Sequence, residues 1–270
     1  MILAGASATG FLVQDLLVTT MLFVRDLAFM SGREVRVGRE YQPNGVTAYD
    51  LRQPETTEFV REGERALEAL RSRLDSADVW PLEAEYPRDG IVLRSQFQPR
   101  LGVYFIYTEA VLNYNFEWAF RKSWGVPGKN LEWYKDFSRN EIVQWISEKC
   151  RIVHETTEPM LGGWIAARDF VSVTCHEKIG EKIYWPFCNV TWPGLPPKDG
   201  IVRSVAHIGS GYAFSPHKTD KTKSVFQSIN GMDFQVPFVP TSILKTFAAA
   251  RHRQFVLALR RHLDEMAASS

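Results

Sequence analysis

His154 and Glu155 stand side by side in HETTE, residues 154 to 158. Zinc hydrolases set two histidines four residues apart on a helix with a glutamate between them. Here the second histidine is missing and the segment reads as strand, so no metal site is expected. GxSxG, a Cys and His pair at a known catalytic spacing and a phosphate-cradling glycine loop are also absent from the sequence. The chain is therefore read as a non-enzyme without a cofactor. Its polar chemistry lies instead in RDFVSVTC, residues 168 to 175. Alternation puts Phe170, Ser172 and Thr174 on one strand face and Val171, Val173 and Cys175 on the other. Small hydroxyls among large apolar groups fill a solid core poorly. They suit the lining of a ligand cavity, where a few placed polar groups orient an apolar guest.

The elements that must position these residues follow from periodicity. In TTEFVREGERALEALRSRL, Phe59, Ala66, Leu67, Leu70 and Leu74 recur at helical spacing behind a threonine. GIVLRSQFQ and GVYFIYTEAVL alternate around a turn at Pro99 to Gly102 and read as a hairpin. NYNFEWAFRKSWGVPGKNLEW reads as a helix, a Gly and Pro break and a shorter helix. Then come NEIVQWISEK, CRIVHETTE, RDFVSVTC, EKIYWPFC, GIVRSVAHI, GYAFSPHK and SVFQSI, all strand-like and separated by turn signals. The last segment, PTSILKTFAAARHRQFVLALRRHLDEM, is a long helix with Leu244, Phe247, Ala248, Phe255, Leu259 and Leu263 on one flank. This order is α+β, without βαβ alternation. A single antiparallel sheet of this size has to curl, and the terminal helix is placed to close its open side.

Composition limits the partners. Thirty-two basic residues against 31 acidic ones leave a net charge of +1 over 270 residues, so no global field recruits nucleic acid. Cys150, Cys175 and Cys188 are widely spaced within strand-like segments and are read as buried free thiols in a reducing compartment. MILAGASATGFLVQDLLVTTMLFV has no basic residue before its apolar run and no cleavage site, and Gln14 and Asp15 dilute it. It reads as a locally packed helix, with a membrane-associated segment as the open alternative. Residues 31 to 55 are polar and turn-rich, a linker.

RDFVSVTC, the IG turn, PPKDGIVR, KTK at residues 221 to 223 and the terminal SIL, F and LRRHL blocks recur in order and together resemble the START domain family, in its steroidogenic acute regulatory branch. The resemblance covers residues 52 to 267, after an N-terminal hydrophobic segment and linker, residues 1 to 51. It implies a helix-grip fold, a curved nine-stranded antiparallel sheet gripping a C-terminal helix around a lipid tunnel. It also implies an intracellular carrier of a sterol or similarly rigid lipid, cytoplasmic and in transient contact with membranes, or alternatively a lipid- or carotenoid-sensing module without bulk transfer.

In that branch an inward acid pairs with an inward arginine on the RDFVSV strand. Glu155 occupies the acid's position and Thr174 the arginine's, so the acid has lost its partner. Thr174, Arg203 and His207 are the candidate donors to it, and an outward Glu155 is the competing reading. A lone carboxylate in an apolar tunnel has its pKa raised. By the same match, Phe255 and Leu259 fall where the family helix lines its ligand, with Phe247 on the same flank. Trp185 replaces a smaller residue and either packs in the core or narrows the tunnel. CNVTWPGLPPKDG matches the omega loop over the tunnel mouth, where Trp192 and Leu195 either dip into a membrane or fold back on the sheet. Arg251, Arg253, Arg260 and Arg261 form a basic flank, solvated or facing anionic headgroups.

Overall fold

A computed structural model of the chain describes residues 54–124, 133–163, 165–232 and 240–269. The N-terminal hydrophobic segment and most of the linker lie outside them, as does most of the shorter helix expected before Trp133. Two compact units divide the chain. The described part of the smaller one is a short segment closed by a bridge between Met160 and Ile165.

The larger unit opens with α1 (Pro54–Leu74), then β1 (Leu82–Tyr86), β2 (Ile91–Gln98) and β3 (Val103–Leu112). After α2 (Phe116–Trp124) come β4 (Phe137–Trp145), β5 (Cys150–Thr157), β6 (Arg168–Cys175), β7 (Glu177–Ile179) and β8 (Lys182–Asn189). β9 (Val202–Arg203), β10 (Ser210–Pro216), β11 (Ser224–Met232) and α3 (Thr241–Ala268) complete it. One path of hydrogen-bonded neighbours runs β1-β2-β3-β11-β10-β8-β6-β5-β4. These nine strands are antiparallel throughout. Short β7 pairs with β8, and β9 pairs with β6 in parallel.

Each face of this sheet is covered by a different helix. On the outer face, Ala66, Leu70 and Leu74 of α1 repeat every four residues and are buried, with Leu70 and Leu74 packing against Phe105, Ala213 and Ile229. Ala66 lies among Ile152, Val171 and Val173, all fully buried. On the inner face, Leu244, Ala248, Val256, Leu259 and Leu263 form the buried stripe of α3. Ala248, Val256, Leu259 and Leu263 share a cluster with Ile106, Ala110, Phe214 and Phe226. Each fully buried leucine contributes roughly 2 kcal/mol of transfer free energy. The hairpin turn between β2 and β3 ends on Gly102, whose φ of 69° is a left-handed geometry that glycine adopts without strain.

Two expectations are corrected here. GIVRSVAHI yields only the two-residue β9, because pairing with the start of β6 covers no more of it. The three cysteines are not all free. Cys150 and Cys175 are direct partners across β5 and β6 and form a disulfide, while Cys188 is the buried free thiol. Burial pushes that thiol up to about 12. Gly63 of α1 packs so closely on the Cys175 sulfur that a Cβ there would collide with it. Among the described residues no helix is long and apolar enough to cross a membrane.

Candidate functional site

Register assigns the inner face residue by residue. Glu155, Val153 and Arg151 of β5 lie directly opposite Phe170, Ser172 and Thr174 of β6. Partners across an antiparallel pair share a face, so these six look toward α3. Phe187 and Asn189 of β8 continue the rows, opposite Thr174 and Ser172. Trp185 stands opposite Tyr212 of β10, and Tyr212 opposite Ser228 of β11. Ser228 in turn faces Thr108 of β3.

The two faces differ in how they are filled. Val171 and Val173 have no exposure beneath α1. On the inner face Arg151, Val153, Ser172 and Thr174 are buried too, whereas Phe170, Trp185, Phe187 and Tyr212 keep accessible surface. Glu155, Tyr212 and His252 have pKa values shifted chiefly by burial and still retain accessible surface. That combination fits side chains lining a hollow between the sheet and α3.

Aromatic rings surround the hollow. Phe255 of α3 stacks on Tyr212 at 5.8 Å and meets Tyr134 at 5.0 Å, Trp133 at 5.8 Å and Phe226 at 6.1 Å. Trp185 touches Tyr212 at 5.2 Å, and α2 closes against it through Trp124 at 4.9 Å and Phe120 at 6.2 Å.

The polar groups are few and placed. Glu155 points inward, and its Oε1 accepts a hydrogen bond from Asn140 Nδ2 at 3.0 Å. Burial lifts its carboxyl to about 7, against the opposing pull of Arg151. Arg151, directly opposite Thr174, donates to the Trp124 carbonyl at 2.9 Å and lies 3.7 Å over that residue's ring. Burial lowers its pKa to about 10, Glu155 opposing. Tyr212 is pushed upward by burial and then by the Glu155 charge. On α3, His252 Nδ1 lies 3.0 Å from Thr108 Oγ1, and burial pushes this imidazole down to about 4.

Of the residues expected at the site, Glu155, Ser172, Thr174, Trp185, Phe255 and Leu259 lie on the inner face or on the helix stripe above it. Phe247 is buried beside the Arg251 guanidinium. Thr174 does not reach Glu155; it accepts from Trp185 Nε1 at 2.6 Å and donates to the Pro186 carbonyl at 3.3 Å. Arg203 and His207 belong elsewhere. Arg203 holds Asp169 on the outer face through two bonds of 2.9 and 2.8 Å, and also donates to the Leu195 carbonyl. These bonds and charges, with His154, hold the Asp169 carboxyl below its ordinary range although burial opposes them. His207 sits 6.4 Å from Phe105, which packs toward α1. A positive charge still acts on the acid: Arg151, four residues away on the same strand and opposite Thr174, pulls against its raised pKa. His154 and Glu155 point to opposite faces, so HETTE does not converge.

The omega segment is folded back, with Trp192 5.6 Å from Phe59 of α1 and Leu195 in the same outer cluster. The basic flank is mostly tied down. Arg251 pairs with Asp136 and Arg253 with Asp89, while Arg260 donates to the carbonyls of Val111 and Asp89. Arg261 alone of the four is exposed. Sequence reasoning missed Arg151, Asn140, Thr108, Tyr212 and His252. Arg151 and Tyr212 carried a signal in strand alternation, whereas Asn140 and His252 depend on a bulged edge strand and on helix rotation.

A START domain model matches residues 62–269. The chain is 24% identical over 211 residues to the mitochondrial steroidogenic acute regulatory protein of Salvelinus fontinalis, covering 78% of this chain and 72% of that protein. Against the steroidogenic acute regulatory protein of Xenopus laevis the identity is 28% over 145 residues, 54% of this chain and 50% of the relative. Human StAR-related lipid transfer protein 5 superposes with a TM-score of 0.68 at 18% identity, covering 78% of this chain and 99% of that one. Human STARD10 gives 0.61 at 14%, with 73% and 77% covered.

Proposed function

This chain belongs to the START domain family, whose members bind lipids, and on that premise we propose that it carries a sterol or similarly rigid hydrophobic ligand between membranes without catalysing a reaction. One observation carries the reading. Glu155 and Tyr212 have burial-shifted pKa values yet keep accessible surface, beside an aromatic wall formed by Trp185, Phe226 and Phe255. A hollow of that lining fits an apolar molecule with a polar group at the Glu155 end. At neutral pH this carboxyl is close to half protonated, so it either accepts from a hydroxyl or donates to a carbonyl.

Shielding about 400 Å² of apolar ligand surface at ~25 cal/mol per Å² is worth on the order of 10 kcal/mol, enough to compete with a bilayer. A ligand hydroxyl left unpaired inside costs about 1 to 3 kcal/mol, so the polar group selects while the apolar wall binds. Loading requires transient contact with a membrane surface and movement of the omega segment or α3. We assign the lipid-binding domain to residues 52–267 and propose a cytoplasmic site of action, with residues 1–51 as a separate segment. Purified full chain mixed with vesicles holding labelled sterol should take up one sterol per chain, and Phe255→Ala should weaken uptake. A chain that takes up none removes the carrier reading.

A second reading, a sensor that retains its lipid, draws on the Arg203 clamp joining Asp169 to the Leu195 carbonyl. Tight binding with vesicle-to-vesicle exchange slowed to hours would favour it.

A further inference from the structure

Thr108 and His252 meet across the hollow's boundary, one on β3 and the other on α3, in a contact that the Glu155 end does not require. Thr108 is almost completely buried. His252 Nδ1 is engaged by its hydroxyl, while Nε2 has no protein hydrogen-bond partner among the described residues, and the residue keeps accessible surface. An enclosed imidazole held only for packing would have both nitrogens satisfied or its free edge covered, since an unmet polar group in an apolar interior is costly. Here only one nitrogen is engaged and the residue is not fully covered.

Its distance from the first polar group is fixed by the sheet. Thr108, Ser228 and Tyr212 form one row over β3, β11 and β10. Glu155 lies three strands further, beyond β8 and β6. At ~4.8 Å per strand, five steps make about 24 Å across the sheet, which curling shortens, and by register Glu155 is also displaced along the strands from the Thr108 row. Between these ends lie Tyr212, Phe226, Phe255 and Trp185, an almost wholly apolar middle.

We propose that the Thr108–His252 pair is a second polar anchor, and that the ligand is an elongated apolar molecule bearing a hydroxyl or carbonyl group at each end. One group meets Glu155, and the other meets His252 Nε2. The neutral imidazole offers one donor and one acceptor nitrogen, and the Thr108 hydroxyl, which can donate or accept, holds the ring in place while Nε2 takes the role complementary to the ligand. This inference rests on the carrier reading and sharpens it from a lipid with one polar end to a lipid with two.

The test uses two probes on the full chain. One is a sterol hydroxylated on ring A alone, and the other also bears a hydroxyl at the end of its side chain. Wild type should prefer the second by about ten-fold, the range set by one matched buried hydrogen bond. In Thr108→Val and in His252→Leu the ratio should fall to about one, and the exposed control Arg261→Ala should keep it. Nitrogen NMR of labelled histidine should show one ring resonance moving with the two-ended sterol and not with the one-ended sterol. If His252→Leu fails to fold, the isosteric Thr108→Val and the NMR signal decide. Equal affinity of wild type for both probes overturns the second anchor and leaves the carrier reading standing. A preference that survives both substitutions also overturns it. Failure of wild type to take up either probe removes the carrier reading and this inference together.

Discussion

Glu155 and His252 give the ligand-free protein two opposed pH dependences that single substitutions separate. Burial raises the Glu155 carboxyl from 4.5 to about 7. Below 4.5 it is protonated in both folded and unfolded chains and costs nothing. As pH rises toward 7 the unfolded carboxyl ionises first, so stability falls, by about 3 kcal/mol in all, and stays lost above that. Burial lowers the His252 imidazole from 6.5 to about 4. Its contribution is intact above 6.5 and is lost as pH falls toward 4, again by about 3 kcal/mol. Water entering the hollow screens both groups, which makes these figures upper bounds. Between 4.5 and 6.5 the two slopes oppose, so wild type should vary little across that window. Urea unfolding at steps from about pH 4 to about pH 8 reads the effect through the linear extrapolation. Glu155→Gln should match wild type at the acid end and gain up to about 3 kcal/mol at the alkaline end. His252→Leu should show the converse, with its relative gain appearing only in acid. A Glu155→Gln difference that stays flat with pH would refute the placement of this carboxyl in a low-dielectric hollow.

Non-reducing peptide mapping should recover Cys150 joined to Cys175 with Cys188 free. Reduction should then lower stability by about 2 to 4 kcal/mol. Gly63→Ala should destabilise by about 1 to 3 kcal/mol in thermal melts, because α1 has no room to move off the disulfide, and an unchanged melt would contradict that packing. Thr174→Val should cost about 1 to 3 kcal/mol and change the tryptophan fluorescence, since it strips the Trp185 indole of its acceptor.

The elements that sequence reveals are those whose pattern is strong over many residues. Ala66, Leu70 and Leu74 mark α1, and the flank from Leu244 to Leu263 marks α3, because a helix buries one stripe whatever its neighbours do. β1 escaped because LEAEY alternates with acids on an edge strand, where burial selects weakly. The disulfide escaped for another reason. Antiparallel partners are fixed once one pair is known, and with Glu155 set against Phe170 the count places Cys150 against Cys175. Alternation tells which residues share a face on each strand but not how the strands slide past one another. His207 and Arg203 show the same limit, since their strand-like segment forms only a two-residue pairing and alternation carries no meaning beyond it.

The position of Arg151 follows from this geometry. A residue directly across an antiparallel pair presents its side chain to the same face, so an arginine opposite Thr174 reaches the inner surface that an arginine at position 174 would have reached. The surroundings are different. Arg151 and Glu155 are four residues apart on one strand, about 13 Å at ~3.3 Å per residue, too far for a close ion pair between their backbone positions. The arginine is held at the Trp124 carbonyl and ring, and the acid at Asn140. Arg151 still attracts the carboxylate charge, but desolvation wins and holds Glu155 near 7. A tight pair would fix this group as an acceptor only. Spacing the two charges four residues apart along one strand leaves a carboxyl that both donates and accepts, which is what recognition of either a hydroxyl or a carbonyl demands.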